Sequence, residues 1–421
     1  MSVEQIHRAR TEAATDPPAP TAGIDWASTD HAVAIVDAHG IQILREMVEH
    51  TAAGLNRMMR LLTRAGVREV ALERGDGPVV DTLLEAGFTV FVIASNQVKN
   101  LRQRYGAAGN KDDHFDAYVL ADTVRTDRRR LNPLTLDSPA TVTLRMTVRA
   151  RKDLVAARIA MANQLRAQLE HVLPGAIKLF RDIDSAITLA FLTRFPTQTK
   201  VDWLTPKRLE NWLRTQHHPH PARTERLHAH LTAATRGTVG DQAETRAHVT
   251  AALVAGLTTL RAQIKALEEQ IETQLLAHPD AVVFTSLPQA GIVRAARLLA
   301  EIGDCRSRYP TPESLTGLAG ATPSTRQSGK VKIVSFRWAV DKELRGAVMD
   351  FAGDSHHANA WAADLHRRAR AHARARGHDH PHATRVLARA WLHVIWRCWQ
   401  DGAAYDPAQH RALQTVLAAA A

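Results

Sequence analysis

The spacing of apolar residues changes once along the chain, and no single layer of secondary structure accommodates both spacings. Apolar residues first come in short runs at Ala22–Trp26, Ala32–Val36 and Ile41–Leu44. Alternating or continuous runs of that length are strand signals. Thr51–Ala65 then places Leu55, Met58, Met59 and Leu62 at helical spacing, Val67–Glu73 reads as a strand, Val79–Glu85 as a helix and Phe88–Ala94 as a strand. Beyond Leu131-Asn132-Pro133, Leu144, Val148, Val155, Ile159, Ala162, Leu169 and Val172 recur in steps of three, four or seven. That spacing predicts a long helix burying one narrow stripe. A second such helix is expected from Gln242 to Leu276, giving an antiparallel or intermolecular coiled coil, or a plain bundle, with a less regular insertion over Leu179–Gly237.

Three strands followed by helix, strand, helix and strand predict antiparallel pairing first and parallel crossovers afterwards. This is the layout of RNase H-like domains, in which the first and fourth strands are neighbours. With 421 residues the chain is long enough for two or three domains. The expected division is a disordered Pro-containing tail at 1–21, an α/β domain at 22–135, the coiled-coil region with its insertion at 136–279, a mainly α-helical C-terminal domain at 280–403 and a tail at 404–421. In the C-terminal domain, Ser286–Ile292 followed by a helix over Val293–Ile302 resembles a helix-hairpin-helix, and Val331–Phe336 reads as a short strand. Trp391, Trp396 and Trp399 lie in an apolar helical segment and are expected in the core.

Charge narrows the partners. Fifty-four Lys and Arg against 43 Asp and Glu leave a net charge of +11, which attracts polyanions and releases their counterions. The densest basic stretch, from Trp361 to Gln400, sets Arg367, Arg368, Arg370, Arg374, Arg376, Arg385, Arg389 and Arg397 against Asp364 and Asp379. Cys305 and Cys398 match no zinc or disulfide framework, no run reaches bilayer length, and the first residues lack an apolar signal core. A cytoplasmic protein with no membrane partner is expected. Prolines among His217, His218 and His220, and beside His378, His380 and His382, favour loops over zinc sites.

Asp25 falls inside the first strand among apolar neighbours, and Glu73 closes the fourth strand just before Gly75-Asp76-Gly77. Asp113 and Asp116 are three apart at a helix start and so share a side, although Asp at a helix start is also the expected cap. Four carboxylates meeting at one point repel each other unless hard divalent cations neutralise them. Magnesium fits, and two ions about 4 Å apart can bind a scissile phosphate and stabilise its developing charge.

These residues carry a resemblance to a family, the DEDD transposases of the insertion-sequence one-ten type, relatives of the pilin-gene invertases. It spans nearly all of Gly23–Cys398 and rests on Gly-Ile-Asp-Trp-Ala at 23–27, Glu73, Lys-x-Asp-x-x-Asp-Ala at 111–117, Leu-Pro-x-x-Gly at 287–291 and the run from Gly320 to Lys330. The resemblance implies a RuvC-like domain, a coiled coil and a C-terminal domain with a nucleophilic serine. It makes Asp25, Glu73, Asp113 and Asp116 ligands of Mg2+ and Ser328 the nucleophile. Double-stranded DNA at element ends and target, an element-encoded guide RNA and a homodimer or homotetramer are the implied partners, with family precedent for Ser328 acting in a partner's site. Lys111, Arg326, Lys330, Arg367, Arg368 and Arg370 are candidate nucleic-acid contacts. The sequence departs from the family at Arg74-Gly75-Asp76, where Asp76 competes with Glu73 as the second acid, at Asp112 and at Gln289-Ala290. The rival reading is a RuvC-like nuclease that hydrolyses junctions with water and forms no covalent intermediate.

Overall fold

Alternation along β1 (Thr21–Trp26) decides how the N-terminal sheet is covered. Ala22 and Ile24 point to one face, where Val33, Ile35, Val70, Leu72 and Val90 join them under Met58, Leu62, Val79 and Leu83. Gly23 and Asp25 belong to the other face, beside Ala32, Ala34 and Ala71. The computed structural model describes residues 19–105, 112–217, 224–375, 377 and 380–420. Over the first of these the chain forms β2 (Asp30–Val36), β3 (Gln42–Glu49), α1 (Ala52–Arg64), β4 (Glu69–Leu72), α2 (Pro78–Glu85), β5 (Thr89–Val92) and α3 (Ser95–Arg102). Strand order is β3-β2-β1-β4-β5, with β1–β2 and β2–β3 antiparallel and β1–β4 and β4–β5 parallel. The expected neighbours, first and fourth strands, are paired.

The second face is lined by small residues because a helix lies directly on it. α4 (Asp113–Asp127) packs Ala117, Val119, Leu120 and Val124 against Ala32, Ala34, Ala71, Phe91 and Ile93. A Cβ on Gly23 would come within 2.0 Å of the Ala117 carbonyl oxygen, so only glycine permits this approach.

The chain divides into two compact units between Leu136 and Asp137. In the second, α5 (Pro139–Val172) and α6 (Asp241–Leu276) lie side by side. Gln168 Nε2 donates to the Arg246 carbonyl, Gly256 adjoins Met161, and Arg151 pairs with Glu268, so the helices run antiparallel. Ile159, expected in the buried stripe, is exposed. Each end of the coil has its own core. At one end, Leu165, Leu169, Leu257 and Val254 join the insertion. The insertion is more regular than its sequence suggested, with helices at Ala186–Arg194, Gln198–Asp202, Pro206–Thr215 and Thr224–Ala233. The Ser185, Thr197 and Thr205 side chains each accept a backbone N–H at the start of the first three, stabilising helices too short to persist alone.

At the coil's other end, Leu144, Val148, Ile271 and Leu275 merge with a helical core built on α7 (Gly291–Ile302), α8 (Lys342–Ser355), α9 (Ala360–Ala375) and α10 (His380–Asp401). The tryptophans complete that core, each indole N–H satisfied: Trp391 donates to Ser355 Oγ at 2.8 Å, Trp396 to the Tyr309 carbonyl at 2.8 Å and Trp399 to the Gly303 carbonyl at 2.9 Å. No helix among the described residues is long and apolar enough to cross a membrane.

Candidate active site

Asp25 and Glu73 are brought together by strand pairing. The last β1–β4 register pair is Ile24 with Leu72, and one step further along the two parallel strands come Asp25 and Glu73, both half-buried. Adjacent strands lie about 4.8 Å apart, so the two carboxylates leave one sheet edge as neighbours. Glu73 also continues the face of Ala71, the face that α4 covers.

The direction of α4 brings the other two acids to the same edge. Thr21 Oγ1 donates to the Ala121 carbonyl at 2.8 Å, and Gly23 lies against Ala117, so α4 runs antiparallel to β1. Two strand residues advance roughly 6.6 Å and four helical residues roughly 6 Å, which sets Asp25 level with the first turn of α4. That turn holds Asp113, exposed, and Asp116, only 1% exposed.

Neighbouring charges sort the candidates. Arg102 Nε, at the end of α3, pairs with Asp116 Oδ1 at 2.7 Å. Asp112 caps α4, accepting the His114 N–H at 3.2 Å, and pairs with Arg45 on β3, also at 3.2 Å, which offsets the extra charge beside the site. Asp76 is engaged by Arg74 through two hydrogen bonds of 3.1 and 2.9 Å, and the Arg74 guanidinium lies 4.9 Å from the Trp26 ring centre. No ion pair engages Glu73 among the described residues. Motif reading did not single out Arg102, and it gave Gly23 no role of its own. No local pattern marks Arg102, whereas a glycine beside Asp25 in a strand is itself a sign of close backbone approach.

The donor set is all carboxylate oxygen, from three elements meeting at one sheet edge, and its chemistry fits a hard divalent cation. As the side chains stand, no three carboxylate, imidazole or thiol groups among the described residues gather into a cation site.

Ser328 has a different setting. It ends β6 (Ser324–Ser328), which pairs antiparallel with β7 (Val331–Ser335), Ser328 opposite Val331. The sequence predicted β7 alone, because Ser-Thr-Arg-Gln-Ser has no apolar alternation. Gly329, with φ +55°, opens the two-residue turn with no atom within 4 Å of where a Cβ would sit. Ser328, Arg326 and Lys330 are all exposed. Gln289 takes φ +59°, the left-handed conformation that glycine favours in such turns.

The remaining basic candidates divide. Arg367 and Arg368 both pair with Asp364, while Arg370 is exposed. Arg385 stacks on Phe336 at 5.1 Å, and Arg397 pairs with Asp401 at 2.7 Å on the surface. Lys111, Arg376, His218, His220 and His378 lie outside the described residues.

Comparison with known proteins gives this geometry its context. A DEDD transposase profile of IS110 elements, described as Transposase, matches residues 22–174. A second profile, described as Transposase IS116/IS110/IS902 family, matches residues 281–367. The IS117 mini-circle protein of Streptomyces coelicolor is 31% identical over 410 residues, covering 95% of this chain and 98% of that relative. The chain belongs to the IS110 transposase family. The 42 kDa protein of IS900 from Mycobacterium paratuberculosis is 26% identical over 394 residues, 92% of the transposase and 97% of the relative. The 43.6 kDa protein of IS110 from Streptomyces coelicolor is 28% identical over 326 residues, 76% of the transposase and 78% of the relative. All three acid-bearing segments fall within the first profile match, which points to dependence on a divalent metal ion, and Ser328 falls within the second.

Proposed function

We propose that the transposase cuts and rejoins the DNA of its element through an RNase H-like, RuvC-type carboxylate site and the Ser328 hydroxyl. The observation that carries this reading is the meeting of the β1 and β4 ends with the first turn of α4, which brings Asp25, Glu73, Asp113 and Asp116 to one edge. These four would hold Mg2+, two ions per site, with Asp116 exchanging Arg102 for a cation. When bound, the ions supply positive charge to the scissile phosphate and its leaving oxygen. The Ser328 oxygen forms a bond to phosphorus as the bond to a deoxyribose oxygen breaks, and the seryl proton ends on that leaving oxygen. One phosphodiester replaces another, so the phosphoserine link keeps the bond energy that rejoining requires.

A hydroxyl is a weak nucleophile, so its placement matters. Ser328 stands on an exposed hairpin whose turn residue has no side chain to obstruct a phosphate. By family resemblance the serine acts at a partner's carboxylates in a dimer or tetramer, and an element-encoded RNA selects the DNA. Lys111, Arg326, Lys330 and the α9 arginines would contact the nucleic-acid backbone.

Incubation with a DNA junction, Mg2+ and RNA transcribed from the element flank tests this reading. A detergent-resistant protein–DNA adduct is expected with wild type and is lost in both Ser328→Ala and Asp25→Ala. Cleavage without an adduct that survives Ser328→Ala and fails in Asp25→Ala would make the enzyme a hydrolytic nuclease.

A further inference from the structure

The insertion at the far end of the coil carries basic residues of two kinds. Some are paired or stacked: Arg214 with Glu210 at 3.0 Å, Arg236 with Asp202, and Arg208 over the Trp203 ring at 3.9 Å, while Arg158 of the adjoining α5 pairs with Asp184 at 3.3 Å. Others are not. Lys178, Arg181 and Arg226 have no ion pair or side-chain hydrogen bond among the described residues, and all three line one cavity of about 450 Å3. Ser185 adds a hydroxyl to the lining, and Leu179 and Leu227 supply an apolar wall. No carboxylate lines the cavity, since Asp184 of the same loop is engaged by Arg158.

Unpaired cations that converge on one cavity repel each other unless an anion sits among them. Lys178 is also held at φ +62°, a conformation that costs a non-glycine residue about 1 kcal/mol or more and is tolerated where surrounding structure imposes it. The volume admits about one nucleotide and is too small for a duplex groove to enter.

We infer that this cavity is a phosphate-binding site for the backbone of a nucleic-acid strand, remote in sequence from both the acids and Ser328. The inference rests on the transposase acting on nucleic acid. It adds an anchoring point on the coil's insertion. Lys178, Arg181 and Arg226 neutralise a phosphodiester and its neighbour, Ser185 donates to a phosphate oxygen, and the apolar wall accepts the sugar or base edge.

The test uses the full chain and measures the salt dependence of binding to duplex DNA and, separately, to structured RNA from the element flank. Each lost phosphate contact lowers the slope of log affinity against log salt by about 0.7–0.9. Replacing Lys178, Arg181 and Arg226 together with Ala is expected to lower the slope by about 2 and to weaken binding about tenfold to hundredfold at 0.1 M salt. The affected strand, DNA or RNA, identifies which one the site holds. A control with Lys200, Lys207 and Arg214 replaced by Ala removes the same charge from the same module. An equal loss in that control, or an unchanged slope in the site variant, overturns the proposal. Arg226→Ala alone, on an exposed helical surface, provides a second variant, with an expected slope change of about 0.7–0.9. Wild type that binds neither nucleic acid would sink the parent reading as well. Wild type that binds with a slope indifferent to the three residues would sink this inference alone.

Discussion

The acids of the N-terminal unit and the serine of the C-terminal unit sit on opposite kinds of scaffold. Asp25, Glu73 and Asp116 project from elements locked by a five-stranded sheet and by a helix in backbone contact with it at Gly23. Ser328 projects from a two-stranded hairpin with Val331, Ile333 and Val334 exposed along it and Trp338 just beyond, 80% exposed. A carboxylate site must hold several like charges in fixed relation, which a packed sheet edge can do. The nucleophilic role proposed for Ser328 needs access, and the exposed hairpin provides it. Two-stranded hairpins are marginal by themselves.

That contrast can be tested by substitution. The largest effect is expected from Gly23→Ala, whose methyl would meet the α4 backbone. We expect roughly 3 kcal/mol or more of destabilisation in urea unfolding followed by far-UV circular dichroism. A neutral result would mean α4 does not lie on β1 as described. Next comes Arg102→Ala, which removes the guanidinium beside the buried Asp116 carboxylate and should cost about 2–4 kcal/mol. The double variant with Asp116→Asn should recover most of that loss, and added Mg2+ should recover part of it in the single variant if Asp116 takes a cation. No recovery in either arm would mean that Arg102 contributes packing and not charge.

A smaller effect should appear as pH dependence. His31 is fully buried, its Nε2 2.9 Å from His50 Nδ1. Burial chiefly, and then His50, push its pKa below the ordinary value, with Asp30 opposing. The unfolded chain therefore binds this proton more readily. The stabilising contribution is full above the unfolded value of about 6.5 and is lost as pH falls from there through the lower folded value. His31→Gln should flatten the fall in urea midpoint between about pH 7 and 5 relative to wild type. His410 in the C-terminal unit, also lowered by burial, leaves a residual slope of the same sign. An unchanged profile would show that His31 does not titrate on unfolding. The smallest effect is expected at Gly329→Ala, about 1 kcal/mol from the positive φ alone, since nothing surrounds it. A cost matching that of Gly23→Ala would show that the hairpin is packed in solution and end the contrast.

Local pattern determined much of this protein. Period-two runs specified β1 to β5 in order, and the three-and-four spacing specified α5 and α6, because each signal repeats within the element that it describes. Asp25, Glu73, Asp113 and Asp116 could be nominated as acids from their places in the predicted elements, whereas Ser328 is nominated by resemblance to the family. Tertiary structure decided what their neighbours do. That Asp76 is engaged at the strand end depends on Arg74 turning toward Asp76 and Trp26. Arg102, which pairs with Asp116, lies fourteen positions back on α3, placed there by the fold of the sheet. β6 carries no apolar alternation and exists as a strand because it pairs with β7 across the Gly329 turn. Periodicity records which side of an element is buried, whereas ion pairing, register and close approach depend on which segments meet, and only the folded chain sets those distances.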